Sequence, residues 1–115
     1  MAYKKGYELA MRVFKLSKAF PAEERFALTS QIRRASRSVC LNLREAWAKR
    51  RYEAHFISKL TDCDGENAET DSCLNFALDC DYLTPAEHGE LTALSAEVGR
   101  LLGLMLLHPE KWLHN

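Results

Sequence analysis

The chain has 115 residues, enough to bury an apolar core, so we expect a single domain over residues 1–115 that folds without disulfides or a metal. Lysine and arginine together number 16, as do aspartate and glutamate, and this balance excludes a strong net field toward nucleic acid or an anionic membrane. The longest apolar run, residues 101–107, is too short to span a bilayer, so we expect no membrane partner.

The first predicted element is a helix over about residues 2–19. Its apolar side chains cover about half of the helix surface, which is wider than the stripe of about 100° that one partner needs. We therefore expect this helix to pack against more than one neighbour. The apolar side chains are Tyr3, Tyr7, Leu9, Ala10, Val13, Phe14, Leu16 and Phe20.

A second helix is predicted to begin at Pro21 or one turn later, because proline suits the first turn and the acidic Glu23 and Glu24 suit its positive end. Apolar and small residues then recur at spacings of three and four, which is typical of a helical bundle. This seam consists of Leu28, Ile32, Ala35, Val39, Asn42 and Ala46.

Arginines recur on roughly the opposite side of the second helix, and we call this set the arginine stripe. It consists of Arg33, Arg37, Arg44 and Arg51, separated by four, seven and seven residues. Cys40, Leu41 and Trp47 are interspersed with them, so the predicted outward face mixes apolar and cationic groups. Such a face is typical of a surface that contacts a partner.

A third helix is predicted over about residues 52–82, with eight acidic side chains around its core seam. The seam consists of Phe56, Leu60, Cys63, Asn67, Thr70, Leu74 and Ala77. Thr84 is suited to cap a fourth helix, because Pro85 follows at the first helical position and Glu87 completes a capping pattern. The fourth helix is predicted to end at His108-Pro109.

No alternating strand pattern persists in the sequence, and the joints between the four predicted helices are short. We therefore expect an all-α, antiparallel up-and-down four-helix bundle. Residues 1–51 carry 13 basic and 4 acidic side chains, a net charge of +9, whereas residues 52–115 carry 3 and 12, a net charge of −9. This segregation indicates pairing of a basic with an acidic helical pair, within one chain or between subunits.

The sequence offers no catalytic, metal or cofactor site. Counted from Asp62, an EF-hand would need glycine at position six and glutamate at position twelve, where Asn67 and Cys73 stand instead. The cysteines form no Cys-x-x-Cys pair, and free thiols in helical patterns indicate a reduced, cytoplasmic protein. No histidine forms an evident dyad with a cysteine. The histidines are His55, His88, His108 and His114, and the cysteines are Cys40, Cys63, Cys73 and Cys80.

Glu45 and Glu69 are predicted to lie near the core side of their helices, where a carboxylate needs a partner. Diiron sites in bundles require Glu-x-x-His motifs, which the sequence lacks. We therefore expect a structural polar network of Glu45 and Glu69 with Asn42 or an arginine.

The strongest candidate for function is a cationic surface on and after the second helix. Arginine forks bind phosphate and aromatic rings stack on bases, so this surface suits RNA or DNA. The alternative is that the arginines pair with acids of the third helix or of a neighbouring subunit, which the neutral total charge slightly favours. The candidate residues are Arg33, Arg34, Arg37, Arg44, Trp47 and Arg51.

The run Leu-Thr-Ser-Gln-Ile-Arg-Arg-Ala at residues 28–35 resembles the bacterial 23S rRNA intervening-sequence proteins, a four-helix-bundle family. Residues 14–21, Phe-Lys-Leu-Ser-Lys-Ala-Phe-Pro, resemble the end of that family's first helix. Ser38, Val39, Asn42 and Glu45 are similar to its pattern Ser-Ile-Pro-Ser-Asn-Ile-Ala-Glu. Gly65 and Glu69 are similar to its third-helix segment Ala-Arg-Gly-Ser-x-x-Glu.

The resemblance implies a non-enzymatic bundle that assembles as a homopentameric ring. It also implies a context inside an rRNA intervening sequence or beside a diversity-generating retroelement, where related accessory proteins bind nucleic acid and a reverse transcriptase. A ring offers two different surfaces per subunit, so a basic face can meet the acidic face of the next copy. The chain differs from the family's pattern at Cys40, Arg44, Trp47, Asp64 and Asn67.

Overall fold

A computed structural model describes residues 1–113 of the chain. It contains four α-helices, α1 (Ala2–Ser17), α2 (Leu28–Ala48), α3 (Glu53–Asp79) and α4 (Pro85–Leu107). Two short 3-10 helices follow α1 and α4, at Ala22–Glu24 and Pro109–Lys111. No strand occurs in residues 1–113, so the predicted all-α class is confirmed.

Each helix packs against the next one in the chain, and α4 returns to contact α1. One apolar cluster joins the start of α1, the end of α2, the start of α3 and the end of α4, through side chains that include Ala2, Leu43, Phe56 and Met105. A second cluster joins the opposite ends of the same helices, through side chains that include Val13, Leu28, Ala77 and Leu91. Consecutive helices therefore run in opposite directions, as in a four-helix bundle.

The wide apolar face of α1 serves two neighbours, as predicted, because α1 contacts both α2 and α4. The backbone of α1 approaches α2 closely at Gly6, where a Cβ atom would lie 3.4 Å from Cys40 Sγ and 3.5 Å from Val39 Cγ1. The prediction that Cys40 lies on the outward face of α2 is therefore wrong. Cys40 is buried, because α1 covers this side of the helix.

Helix α2 begins at Leu28, about two turns after Pro21, because Ala22–Glu24 form a separate 3-10 helix. Its predicted seam is buried except at Asn42, which is half-buried and donates to the Ser38 carbonyl of its own helix at 3.0 Å. Leu43, one position later, fills the core instead. The core side of α2 is thus rotated slightly from the predicted seam.

All seven predicted seam residues of α3 are buried, which confirms that prediction in full. The helix ends at Asp79 rather than near Tyr82, because Asp81 takes a left-handed backbone conformation with φ 63°. The Asp81 N–H donates to the Leu78 carbonyl at 2.9 Å and the Tyr82 N–H donates to the Ala77 carbonyl at 2.8 Å. These two bonds form a Schellman motif, which satisfies the last carbonyls of α3.

Both hydrogen bonds of the predicted capping pattern at the start of α4 are present. The Glu87 N–H donates to Thr84 Oγ1 at 3.1 Å, and the Thr84 N–H donates to Glu87 Oε1 at 2.9 Å. This capping box, followed by Pro85, fixes where α4 begins. Among the helices in residues 1–113, none is long and apolar enough to cross a membrane.

Candidate nucleic-acid and subunit interface

The arginines of α2 that face α1 stack on aromatic rings of that helix. The Cζ atoms of Arg33 and Arg37 lie 4.9 and 5.5 Å from the centre of the Phe14 ring, and Lys18 Nζ lies 4.8 Å from it. Nearer the other end of α2, Arg44 Cζ lies 5.2 Å from the centre of the Tyr3 ring. Such cation–π contacts hold the side chains in place without neutralising their charge.

We call Arg33, Arg37 and Arg44 the arginine face. Arg33 is also fixed by a hydrogen bond from its Nε to Ser17 Oγ at 2.8 Å, and Ser17 is buried. Within residues 1–113, no carboxylate oxygen lies within 4.0 Å of a guanidinium nitrogen of this face. These three charges are therefore ordered by the fold and are not used by the fold's own ion pairs.

Arg34 behaves differently from its neighbours, because it points toward α3. Its Nη1 donates to Glu66 Oε2 at 2.9 Å, and its Nη2 contacts Glu69 Oε2. The hydrogen bond to Glu66 raises the pKa of Arg34 above its ordinary value. The predicted pairing of arginines with acids of the third helix thus holds for Arg34, and the candidate residues divide into two groups with different partners.

Trp47 and Arg51 lie at the end of α2 and beyond it. Trp47 is exposed, and Arg50 Cζ lies 4.2 Å from its ring while Arg50 Nη1 donates to the Trp47 carbonyl at 2.9 Å. Arg51 lies in the joint between α2 and α3, so the predicted arginine stripe does not continue along one helix to residue 51. Arg50 was not among the predicted residues of this surface, although its i+3 spacing from Trp47 makes the two side chains neighbours on a helix.

The predicted polar network of Glu45 and Glu69 with Asn42 or an arginine is present in residues 1–113 only as the contact of Glu69 with Arg34. Glu45 is exposed, because Ala46 takes the core position beside it, and its Oε2 lies 3.0 Å from Lys59 Nζ of α3. The hydrogen bond to Lys59 lowers the pKa of Glu45. Glu69 pairs with an arginine, as one version of the prediction had it, while Asn42 bonds to its own helix.

Within residues 1–113, few ion pairs join the basic first half of the chain to its acidic second half. Among residues 1–113, the cations of the first half that pair with acids of the second half are Arg12, with Glu90, and Arg34. Asp64 and Asp71 of α3 make no ion pair with these residues. They line a groove between α3 and α4, which we call the acidic groove, together with Ala96 and Gly99. It lies on the side of the bundle opposite α1 and α2.

The thiols and histidines of the described residues do not form catalytic pairs. Burial raises the pKa of Cys40 to about 11 and that of Cys63 to about 12, so both are thiols and not thiolates at neutral pH. The ring of His55 packs against Tyr52, and His88 Nε2 bonds to the Asn75 side-chain oxygen at 2.9 Å. Of the predicted histidines, His114 lies outside the described residues.

The acidic segment Asp62–Glu66 lies inside α3, so it is part of a helix surface and not a cation loop. In residues 1–113, no three side chains of histidine, cysteine, aspartate or glutamate are grouped closely enough to hold a metal ion. The acidic side chains of this segment therefore form part of a charged helix surface.

Comparison with curated proteins finds no match. Among solved structures, the chain is similar to a crystal structure from Bacteroides thetaiotaomicron, described as a protein of unknown function from the S23 ribosomal protein family. The two chains are 29% identical, with a TM-score of 0.83, over 92% of this chain and 98% of the other. The sequence model of the 23S rRNA-intervening sequence proteins matches residues 1–103. The chain therefore belongs to the 23S rRNA-intervening sequence protein family.

Proposed function

We propose that this protein is a non-catalytic homo-oligomer that binds RNA through the arginine face. The observation that carries the proposal is that Arg33, Arg37 and Arg44 are held on the rings of Phe14 and Tyr3 while lacking a carboxylate partner in residues 1–113. Ordered, unneutralised guanidinium groups are suited to phosphate, because their side-chain entropy is already reduced before the ligand arrives.

The dimensions of the arginine face fit a short stretch of single-stranded RNA. At about 1.5 Å of rise per residue, Arg33 and Arg44 are separated by about 16 Å along α2. The exposed ring of Tyr7 lies on α1 near Tyr3, with 6.2 Å between the two ring centres, and the exposed Trp47 lies at the C-terminal end of α2, where it lines the same cleft as Tyr3. Aromatic rings beside a row of cations can stack on unpaired bases while the cations contact the backbone.

The proposed assembly is a ring of identical subunits, a homopentamer as the family resemblance implies. The positions of charge support a head-to-tail contact, because the basic side formed by α1 and α2 and the acidic groove between α3 and α4 lie on opposite sides of the bundle. A two-fold dimer would place like charges against each other, whereas a cyclic contact joins unlike ones.

This contact is also the basis of a second candidate function, in which the arginine face binds the acidic groove of the next subunit and no RNA is bound. The observation that favours it is that Asp64 and Asp71 remain without ion-pair partners in residues 1–113, beside the small Ala96 and Gly99. Small residues at the base of a groove leave room for long side chains from another subunit.

Fluorescence anisotropy with a labelled single-stranded RNA at low salt tests the first candidate. We expect the triple variant Arg33→Ala, Arg37→Ala, Arg44→Ala to bind at least tenfold more weakly than the wild type. The matched control removes three arginines that the fold already pairs with carboxylates, so that the net charge changes equally. The control substitutions are Arg12→Ala, Arg34→Ala and Arg100→Ala.

The same variants separate the two candidates when their masses are measured by light scattering. RNA binding that the control variant keeps and the face variant loses, with the oligomer intact in both, supports the RNA-binding proposal. Absence of RNA binding, together with dissociation of the face variant alone into 13.2 kDa monomers, supports the subunit-contact function instead. A wild type that is monomeric at micromolar concentration and moderate salt contradicts the proposed assembly.

A reverse transcriptase is a further proposed partner, supported by the family resemblance alone. The DNA that flanks the gene tests this partner. We expect a reverse transcriptase gene beside it in a retroelement context, and rRNA sequence on both sides in an intervening-sequence context.

A further inference from the structure

An apolar cleft of about 330 Å³ opens at the end of the bundle where α1 begins and α4 ends. Its inner wall is formed by carbon-rich side chains, which include the fully buried Phe56 and the largely buried Leu43 and Met105. The exposed Leu104 and Trp112 form part of its mouth. This volume lies at the lower end of the range of about 300–1,000 Å³ that is typical of sites for small organic molecules.

Within residues 1–113, the one charged side chain that lines this cleft is Arg44. Its guanidinium group lies over the ring of Tyr3, which also lines the cleft, at 5.2 Å. Within residues 1–113, Arg44 has no carboxylate partner, and no acidic side chain lines the cleft. One cationic side chain with free donors therefore lies beside a cleft whose described side chains offer few hydrogen bonds.

We propose that this cleft binds a small organic monoanion with an apolar chain, of the kind represented by a medium-chain carboxylate. The carboxylate accepts hydrogen bonds from the fork of Arg44, whose geometry matches two carboxylate oxygens. The hydrocarbon chain occupies the space against Phe56, Leu104 and Met105, where burying apolar surface supplies most of the affinity.

The composition of the cleft separates this ligand class from others. Arg44 would repel a cationic amphiphile, and no acidic side chain within residues 1–113 lines the cleft to bind its charge. A nucleotide carries several negative charges and hydrogen-bonding base edges, for which the described residues of the cleft supply one cationic side chain and mainly carbon atoms, so its polar edges would be buried without partners. The proposal thus goes beyond RNA binding and does not depend on it, although the two ligands would share Arg44.

Both tryptophans of the chain, Trp47 and Trp112, line the cleft, so intrinsic fluorescence reports its occupancy directly. We expect sodium decanoate, below its micelle concentration, to produce a saturable change in tryptophan emission without RNA present. Arg44→Gln should weaken this binding at least fivefold. The matched control Arg33→Gln, which alters the same face outside the cleft, should leave it within twofold.

A second variant keeps the proposal testable if Arg44→Gln disturbs the helix ends. Leu104→Glu places a carboxylate at the exposed mouth and should repel decanoate, while circular dichroism shows an unchanged melting curve. Decanol and decyltrimethylammonium carry the same chain with no charge and with a positive charge, and we expect both to bind more weakly than decanoate. Equal binding of all three compounds, or an equal loss in Arg33→Gln, would overturn the proposal.

Two further measurements distinguish a free anion from other occupants of the cleft. Sedimentation of the protein with phosphatidylglycerol vesicles, in the absence of decanoate binding, would show a lipid surface as the ligand and overturn the proposal. No fluorescence change with the wild-type oligomer, but a change after its dissociation, would show that a second copy covers the cleft, and would also overturn it. Decanoate binding by the intact oligomer without vesicle binding supports the proposal.

Discussion

Phe56→Ala is expected to remove a large part of the stability of the bundle. The Phe56 side chain has no exposed surface and lies in the cluster that joins all four helices at one end. Truncation of a buried phenylalanine to alanine costs about 3–5 kcal/mol, because apolar contacts are lost and a cavity remains. This is a substantial fraction of the roughly 5–15 kcal/mol that stabilises a domain of this size.

Phe76→Ala is the matched control, since Phe76 lies on the same helix and is 64% exposed. The substitution removes the same atoms and gives the helix the same gain in propensity, so we expect a change within about 0.5 kcal/mol. Urea unfolding, followed by circular dichroism, measures both free energies. Two protein concentrations should be compared, because burial between subunits makes the apparent stability depend on concentration.

The expected result is a loss of several kcal/mol for Phe56→Ala at both concentrations, with little change for Phe76→Ala. Equal losses in the two variants at both concentrations would refute the placement of the core at the Phe56 side of α3. A loss for Phe76→Ala that grows as the protein is diluted would instead locate this ring in a subunit contact.

The remaining predictions concern the helix ends and the thiols. Asp81→Gly should raise the free energy of unfolding by about 1 kcal/mol in urea unfolding, because glycine adopts the left-handed conformation of residue 81 without a Cβ penalty. Thr84→Ala should lower it by about 1 kcal/mol in the same assay, and an unchanged value would contradict the role of the capping box. In thiol labelling at pH 8, Cys80 should react at once, since it is exposed, while the three buried cysteines react only after unfolding. The raised pKa of Cys40 and of Cys63 makes their thiolates rare at that pH, and rapid labelling of more than one thiol per chain would show that the bundle opens there.

The sequence was most informative where a local pattern determines the structure. The seam of α3 repeats at three and four residues along a long helix, and all seven of its members are buried. The start of α4 was predictable because a capping box and a following proline act within four consecutive residues. Neither feature depends on which other helix lies nearby.

Predictions failed where a second helix determines what a side chain contacts. Cys40 was assigned to an exposed face because the periodicity of α2 does not show that α1 covers this side at Gly6. Glu45 was placed near the core, whereas a small rotation of the helix exposes it beside Lys59. Helical spacing fixes relative positions around one helix, but the neighbours that bury them come from tertiary packing.

The candidate site was predictable in composition but not in arrangement. The arginines of α2 were found from their spacing, yet the division between Arg34 and the arginine face depends on whether each one meets α3 or α1. The rings of Phe14 and Tyr3 could not be paired with particular arginines from a pattern on either helix alone. The cleft combines residues from the ends of four helices with Trp112, which follows the last 3-10 helix, and no local pattern indicates it.

The salt dependence of RNA affinity is the most direct test of the arginine face as a phosphate-binding surface. For a single-stranded RNA, each phosphate contact contributes about −0.7 to the slope of log K against log salt concentration. We expect the slope for the Arg33, Arg37, Arg44 triple alanine variant to be shallower than that of the wild type by about 2. An unchanged slope, or wild-type affinity that does not vary with salt, would contradict the proposed contact between this face and RNA.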